Sequence, residues 1–274
     1  MTTLTGSART LPVPADPRRG RRRALVATLL TVLVAAHVAA FLLTDVSPSL
    51  LVTGWQGMAA FLADTIPPDL DWATVLRPAI EASLITLAIG LLGTTLSIPF
   101  SLALAAVAAR GTAHPAAYHA ARWLLSVLRA VPDIVFALIF VTAVGLGPFA
   151  GILAIICHNT GVMGKLWAES MEDVDPGPGQ ALATAGASPS QRIANATLPQ
   201  VMPQWVGLLL YRFDVNVRSS LVLGLVGAGG IGLLITRSIK TFQFDQMLTQ
   251  ILVVLVLIVA VDQLSAGVRR RLAA

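Results

Sequence analysis

Charge is what this sequence has least of. Only 12% of its 274 residues are Asp, Glu, Lys or Arg, while 55% are hydrophobic. Soluble domains carry about 25% charged residues. A chain so poor in charge cannot clothe a water-facing surface, which excludes an ordinary soluble domain and leaves an integral membrane protein. Cysteine is nearly absent: Cys157 stands alone in an apolar run. It permits no internal disulfide, has no metal-ligand spacing, and reads as packing. Acids are outnumbered, 14 against 19 basic residues. That balance could suggest a nucleic-acid partner. However, Arg9, Arg18, Arg19, Arg21, Arg22 and Arg23 cluster at one end and Arg269, Arg270 and Arg271 at the other, each beside an apolar segment. Such clusters mark the cytoplasmic side of a bilayer, so the expected partner is lipid and not nucleic acid. Catalytic signatures are missing too. There is no G-x-x-x-x-G-K-[ST], so the chain cannot itself supply an ATP site. There is no H-E-x-x-H, no G-x-S-x-G and no catalytic Cys–His spacing, so no enzyme activity, catalytic residue or metal is expected.

What is present is a series of long apolar segments. Residues 1–23 read as a basic cytoplasmic tail. Residues 24–43 carry no formal charge and are long enough to span ~30 Å of hydrocarbon. A cleaved signal peptide competes with this reading, but its apolar core is usually only ~7–15 residues, which favours an uncleaved helix. Residues 44–77 hold Asp45, Asp64, Asp69 and Asp71 and read as an extracytoplasmic loop, with a short amphipathic piece around Trp55–Leu62. Further spans follow at about 79–109, with a kink expected at Pro99, at 123–144, interrupted at Pro132, and at 149–167, 199–223 and 247–268. Residues 110–122 read as a short polar connection. Six spans place both termini on one side. The segments then assigned inside hold the nine terminal arginines with Arg110, Arg122 and Arg192, while those outside hold only Arg77, Arg237 and Lys240. That asymmetry is the positive-inside pattern. The expected fold is an all-α, polytopic bundle of about six transmembrane helices in the cell membrane, with a core over residues 78–272.

Within "GLVGAGGIGLL", Gly227, Gly229 and Gly232 spell G-x-G-x-x-G, and Asp245 follows at nearly the distance of a ribose-binding acid. A dinucleotide site needs a strand before that motif in a soluble βαβ unit. Here the preceding run is a long apolar segment carrying arginines, so the match is incidental. Gly227, Gly229, Gly230 and Gly232 are expected instead to form a close-packed re-entrant turn at the outer gate, since irregular backbone at membrane depth must be buried in protein or line a cavity.

The polar loop at 172–196 is unusually long. Gln180–Ala185 should be helical, Gly186 permits a turn, and Ser188 can cap a second helix with Pro189 first and Gln191 at the third position. The product is a rigid cytoplasmic knob that another protein could push. Its pattern resembles the coupling loop of ABC-importer permeases, E-A-A, three residues, G, nine residues, I-x-L-P. Gln180-Ala181-Leu182 stands for E-A-A, Gly186 for the glycine and Leu198-Pro199 for the L-P, while Gln180 replaces the acid and Ala196 the isoleucine. "RAVPD", "DPGPGQALATAGAS", "TLPQVMPQ" and above all "YRFDVNVRSSLVLGLVGAGGIG" resemble the phosphonate-type branch of that family. The resemblance implies a type I permease-like bundle that carries phosphonate or a related phosphorus oxyanion. It implies a second permease copy as homodimer partner, two ATP-binding subunits that hold the ATP and Mg, and an extracytoplasmic substrate-binding protein. It places ATPase coupling on Gln180, Ala181, Gly186, Leu198 and Pro199. A secondary transporter or channel for small anions is the competing class, but inverted repeats and an intramembrane acid relay are both missing.

The fifth span carries Arg212, Asp214, Asn216 and Arg218. Each charge at a bilayer centre costs about 2.5–3.5 kcal/mol, so each needs a partner or a task. Asp214 and Arg218 are i, i+4 neighbours, as are Arg212 and Asn216 on the opposite face. Arg212 then either pairs with an acid on another helix, such as Asp133, Asp262 or Glu81, or lines an anion path. Arg129 and Asp133 flank Pro132 and either pair with each other, satisfy freed backbone or meet substrate.

Overall fold

The computed structural model describes residues 19–44 and 47–272. Most of the basic tail expected over 1–23, and Asp45 of the next loop, lie outside them. Every regular element among the described residues is a helix. The chain divides into two units, residues 1–59 and 60–274.

In the first unit, α1 (Arg19–Leu43) is apolar all round and buries none of its described residues. The most apolar 18-residue window within Gly20–Leu43 has a mean hydropathy of 2.4. A helix that is apolar on every side beyond its first arginine-rich turn belongs in hydrocarbon. A short α2 (Ser49–Thr53) and the start of α3 (Trp55–Thr65) follow.

The second unit is built on α4 (Arg77–Ala108), α7 (Pro148–Glu172) and α10 (Leu198–Leu225). Around them lie α5 (Pro115–Ala130), α6 (Asp133–Val144), α11 (Ile231–Lys240) and α12 (Phe244–Leu272), with α8 (Pro176–Thr184) and α9 (Pro189–Arg192) between α7 and α10. The central helices are inside-out relative to a soluble bundle. On α4 the buried face is Ala79, Ala82, Ser83, Thr86, Gly90, Gly93, Thr94, Ser97, Ser101 and Ala105 with the lone bulk of Ile89, whereas Leu84, Leu91, Leu96 and Phe100 point outward. Lipid tails are as apolar as leucine, so helices gain by close backbone approach and not by burying bulk. Gly93 illustrates the fit: a Cβ there would lie 2.6 Å from Cγ2 of Ile155 on α7.

Two helices begin earlier than the sequence suggests. A five-residue π-type turn at Trp72–Leu76 runs straight into α4, and another at Ile193–Thr197 joins α9 to α10. Each ends immediately before an X-Pro pair, Arg77-Pro78 and Leu198-Pro199. A proline cannot supply the usual i→i−4 donor. The wider turn carries the helix past it, with Arg77 N–H donating to Trp72 O and Leu198 N–H to Ile193 O. Leu198-Pro199 therefore does not open the fifth span but lies inside a longer helix. Likewise, the polar connection expected over 110–122 is helical from Pro115, capped by His114, whose Nδ1 accepts from Ala116 N–H. The third segment is two helices bent by 87° at the Val131-Pro132 break. The helix α4 continues through Pro99.

Among the described residues, four helices are long and apolar enough to cross a membrane, and the bent α5–α6 pair makes a fifth if it is one span. With 28 residues α10 is long enough, but Arg212, Asp214 and Arg218 interrupt its apolar character. Replacing Gly93 with valine should overpack the α4–α7 contact and cost about 1–3 kcal/mol, read as a lower melting temperature in detergent. Leu91→Ala, on the outward face of the same helix, should leave the melt unchanged.

Candidate functional site

Arg212 sits in the middle of α10 and is 9% exposed. No acid among the described residues lies within ion-pair distance, so the expected partners Asp133, Asp262 and Glu81 are not its neutralisers. Its partners are neutral amides. Nε donates to Asn159 Oδ1 on α7 at 2.8 Å, and Nη2 donates to Asn216 Oδ1 one turn along α10 at 3.2 Å. Each amide passes its own donor on to α4. Asn159 Nδ2 donates to Ser97 Oγ at 2.7 Å, and Asn216 Nδ2 donates to Thr94 Oγ1 at 2.8 Å. The hydroxyls close the network on α4 backbone, Ser97 to Thr94 O and Thr94 to Gly90 O. One guanidinium thus fastens three helices, with all of Asn159, Asn216, Thr94 and Ser97 buried.

Its neighbour is arranged oppositely. Arg218 Nη2 donates to Asp214 Oδ2 at 2.7 Å and lies 3.6 Å from Asp262 Oδ1 on α12. Asp214 is buried, but the Arg218 side chain is 51% exposed and Asp262 44%. The two i, i+4 pairs read from the sequence both form. At the Pro132 break, Arg129 and Asp133 do not pair within 4 Å. Arg129 is exposed in the last turn of α5, and Asp133 Oδ1 accepts from Ile134 N–H in the first turn of α6. Both placements suit the helix dipoles. The carbonyl of Val131 instead accepts from His158 Nδ1–H at 3.0 Å.

The glycine stretch is the end of α10, a turn, and the start of α11, not a long loop over 224–246. Gly227, Gly229 and Gly230 all have positive φ, and no strand precedes them. The turn is inserted between neighbours. Gly147 N–H, in the α6–α7 turn, donates to Gly227 O at 3.0 Å. A Cβ on Gly229 would lie 2.8 Å from Pro148 N, and one on Gly230 would lie against Thr86 Oγ1. Gly232 meets Gly224 across the α10–α11 hairpin. Thr86 Oγ1 accepts from Ile231 N–H at 2.9 Å, and Thr86 O accepts from Ser220 Oγ at 2.9 Å, so α4 holds both arms of the hairpin.

The loop after α7 forms the expected knob. Asp175 caps α8, its carboxylate accepting from Gly177 N–H. At the other end Ala187 N–H donates to Leu182 O and Gly186 N–H to Ala183 O, a Schellman ending with Gly186 at φ +84°. Ser188 and Gln191 then form a reciprocal capping box. Neither α8 nor α9 buries a residue, and Gln180 and Ala181 are exposed. Leu198 is half-buried and Pro199 exposed, while Ala196, where the motif's isoleucine would fall, is buried beneath the knob.

Several participants escaped the sequence reading. Thr94, Ser97, Thr86 and Ser220 looked like incidental hydroxyls. Their signal was the recurrence of small polar residues at helical spacing along the otherwise apolar α4, Ser83, Thr86, Thr94, Ser97 and Ser101.

The chain superposes on a solved structure described as an inward-facing conformation of the MetNI methionine ABC transporter, with a TM-score of 0.59, 20% identity, and coverage of 72% of this chain and 96% of that one. Residues 98–274 match the family described as the binding-protein-dependent transport system inner membrane component, and the chain belongs to that family. It is 40% identical over 222 residues to the phosphite transport system permease protein PtxC of Stutzerimonas stutzeri, covering 80% of this chain and 79% of that one. It is also 40% identical to the phosphate-import permease protein PhnE of Mycolicibacterium smegmatis, over 88% of this chain and 45% of that longer protein. The chain is accordingly a multi-pass inner-membrane permease subunit of an ABC importer and not an enzyme.

Truncating one member of the Arg212 network should expose its cost. Asn159→Leu leaves a buried guanidinium short of a partner and should destabilise by about 3–5 kcal/mol. Arg212→Met combined with Asn159→Leu should cost less than the sum of the single changes. A double-mutant cycle on detergent melts checks this, and strict additivity would refute the coupling.

Proposed function

We propose that the chain is one half of the membrane pathway of an importer for phosphorus oxyanions, driven by separate ATP-binding subunits and fed by an extracytoplasmic binding protein. The α8–α9 knob is the observation that carries the reading: a capped helix pair with no buried residue at the base of α10, built to be gripped and not to fill a core. Gln180, Ala181 and Gly186 form the proposed grip, with Leu198 and Pro199 at its root. ATP and Mg stay on the partner subunits. The substrate class rests on the phosphite and phosphate permeases to which the chain is similar.

In this scheme both termini and the knob face the cytoplasm, α10 is the fifth crossing helix and brings the total with α12 to six, and the glycine turn lies at the outer mouth. There Gly227, Gly229, Gly230 and Gly232 act as the outer gate, because the turn can part from Leu146 and Pro148 only as a unit. Arg212 and Asn216 are structural anchors, since their hydrogen bonds point inward. Arg218 is the cation open to a passing anion, with Asp214 and Asp262 weakening its grip so that release is not limiting. A half-exposed ion pair in a membrane helix is costly against lipid. The face bearing Arg218 and Asp262 therefore suits a water-lined path against a second permease copy, with which the chain forms a homodimer. Arg129 and Asp133 stay at the break between α5 and α6, away from substrate.

The test is uptake of radiolabelled phosphite, phosphate and phosphonates into vesicles holding the complete transporter. ATP-dependent uptake with mutual competition is expected, whereas uptake by this chain alone under an ion gradient would overturn the scheme. Gly186→Val should strain the αL ending by about 1 kcal/mol, leave the fold intact and uncouple ATP hydrolysis from transport at least tenfold. Full coupled transport would remove Gly186 from the role. Gly229→Leu should abolish uptake while assembly with the ATP-binding subunits persists.

A further inference from the structure

The knob does not sit flush on the bundle. Between it and the Ala109–Thr112 turn after α4 lies a cavity of about 210 Å³. That is roughly seven water volumes at ~30 Å³ each, ample for a tetrahedral oxyanion. Arg110 and Arg192 both line it, Thr197 adds a hydroxyl, the Thr112 hydroxyl already donates to Ala106 O and Ala109 O, and no acid is among its ten lining residues. The two arginines differ. Arg110 is 77% exposed and 3.8 Å from Glu172, whose other oxygen accepts from Arg122 Nη2 at 2.7 Å and from Arg110 N–H at 2.9 Å. Glu172 is therefore already shared between two arginines. Arg192 makes no ion pair among the described residues, and its Nε is shielded from solvent with no hydrogen-bond partner. A guanidinium N–H withdrawn from water and left unpaired is expensive, and the side chain that carries it lines the cavity.

We infer that this cavity is a binding site for a phosphoryl anion, held by Arg192 and by Arg110 swinging in from solvent. Arginine's fork suits phosphoryl oxygens, and a bound anion would complete the hydrogen bonds of Arg192. Bound there, the anion bridges Arg110 beside the end of α4 to Arg192 in α9 and fastens the knob to the bundle. The site stands independently of the transported solute. Its consequence, restraint of a knob that must move, rests on the coupling role proposed above. Two sources offer the same chemistry, free phosphate and the phosphodiester of an anionic lipid headgroup.

The experiment uses the full chain in nanodiscs of phosphatidylcholine, titrated calorimetrically with inorganic phosphate. Arg192→Gln should weaken binding about tenfold, the loss of one charged hydrogen-bond pair. Because Arg192 has no protein partner, its melt should be unchanged. Gly179→Asp is the second variant: a Cβ there meets no atom within 4 Å, which leaves room to start a side chain that adds a carboxylate to the cavity wall. It should abolish binding. Adding phosphatidylglycerol to the nanodiscs separates the sources. Unaltered phosphate affinity identifies the free anion, and competitive loss, with lipid retention reduced by Arg192→Gln in native mass spectrometry, identifies the headgroup. Phosphate affinity and lipid retention both equal to wild type in the two variants would overturn the site, even if phosphorus oxyanion uptake were established.

Discussion

A guanidinium largely taken out of water needs hydrogen-bond partners in protein, and the packing of α4, α7 and α10 supplies two of them at Arg212. Carboxylates would have neutralised it, yet the chain supplies Asn159 and Asn216 instead. Amides have a further advantage here: each accepts from the arginine and still has a donor to spend elsewhere. Those donors reach Ser97 and Thr94, which are small enough to let α4 lie close. The polar network and the small-residue packing are thus one requirement. If α4 carried leucines on this face, α7 and α10 would stand too far off for the amides to reach its hydroxyls.

The same logic orders the apolar core on either side. Asn159 lies one turn from Ile155 and one turn from Met163 along α7. Ile155 belongs to a cluster with Ile89, Leu223 and Ala228 beneath the glycine turn. Met163 belongs to another, with Leu125, Trp167 and Trp205, toward the knob. Trp167 and Trp205 stack at 4.8 Å, and Trp205 Nε1 donates to Ser170 Oγ. The polar layer separates two apolar ends that differ in character, one closed by backbone-to-backbone glycine contacts and the other by large rings.

What the sequence disclosed and what it hid divide along a physical line. Local rules were visible: the Ser188–Gln191 box, the Gly186 ending and the i, i+4 pairs on α10 depend on residues a few positions apart. The apolar segments were visible for the same reason. Arg212's real partner was not, because Asn159 lies 53 positions away, and Thr94 is 122 positions from Asn216. Only the packed bundle brings them together. The errors in element bounds have their own cause. Leu198-Pro199 looked like a helix start since proline favours first turns, but a π-type turn lets an established helix pass it. The helix α11 escaped because its ten residues are too few to read as a span, while Gly224 and Gly232 spend their missing side chains on the tight turn that leads into it.

That correction changes how the parts relate. With no break at Pro199, α9, the π-type turn and α10 form one helical rod over residues 189–225, ~55 Å long at 1.5 Å per residue. It exceeds the ~30 Å hydrocarbon core. The knob is at one end, the glycine turn at the other, and Arg212 between them. A rod of this kind can yield only where its ladder is weakened, at the π-type turn and at Pro203, and both weak points lie on the knob side of Arg212. Beyond Arg212 no proline interrupts the helix before Leu225. A push on the knob would thus be absorbed by bending near the knob or passed on as movement of the anchored segment. In the second case Thr86, which holds Ser220 of the rod and Ile231 beyond the turn, must move with it or let go. Under the proposed coupling role, the choice between coupling and slippage would fall to the stretch between Ile193 and Arg212.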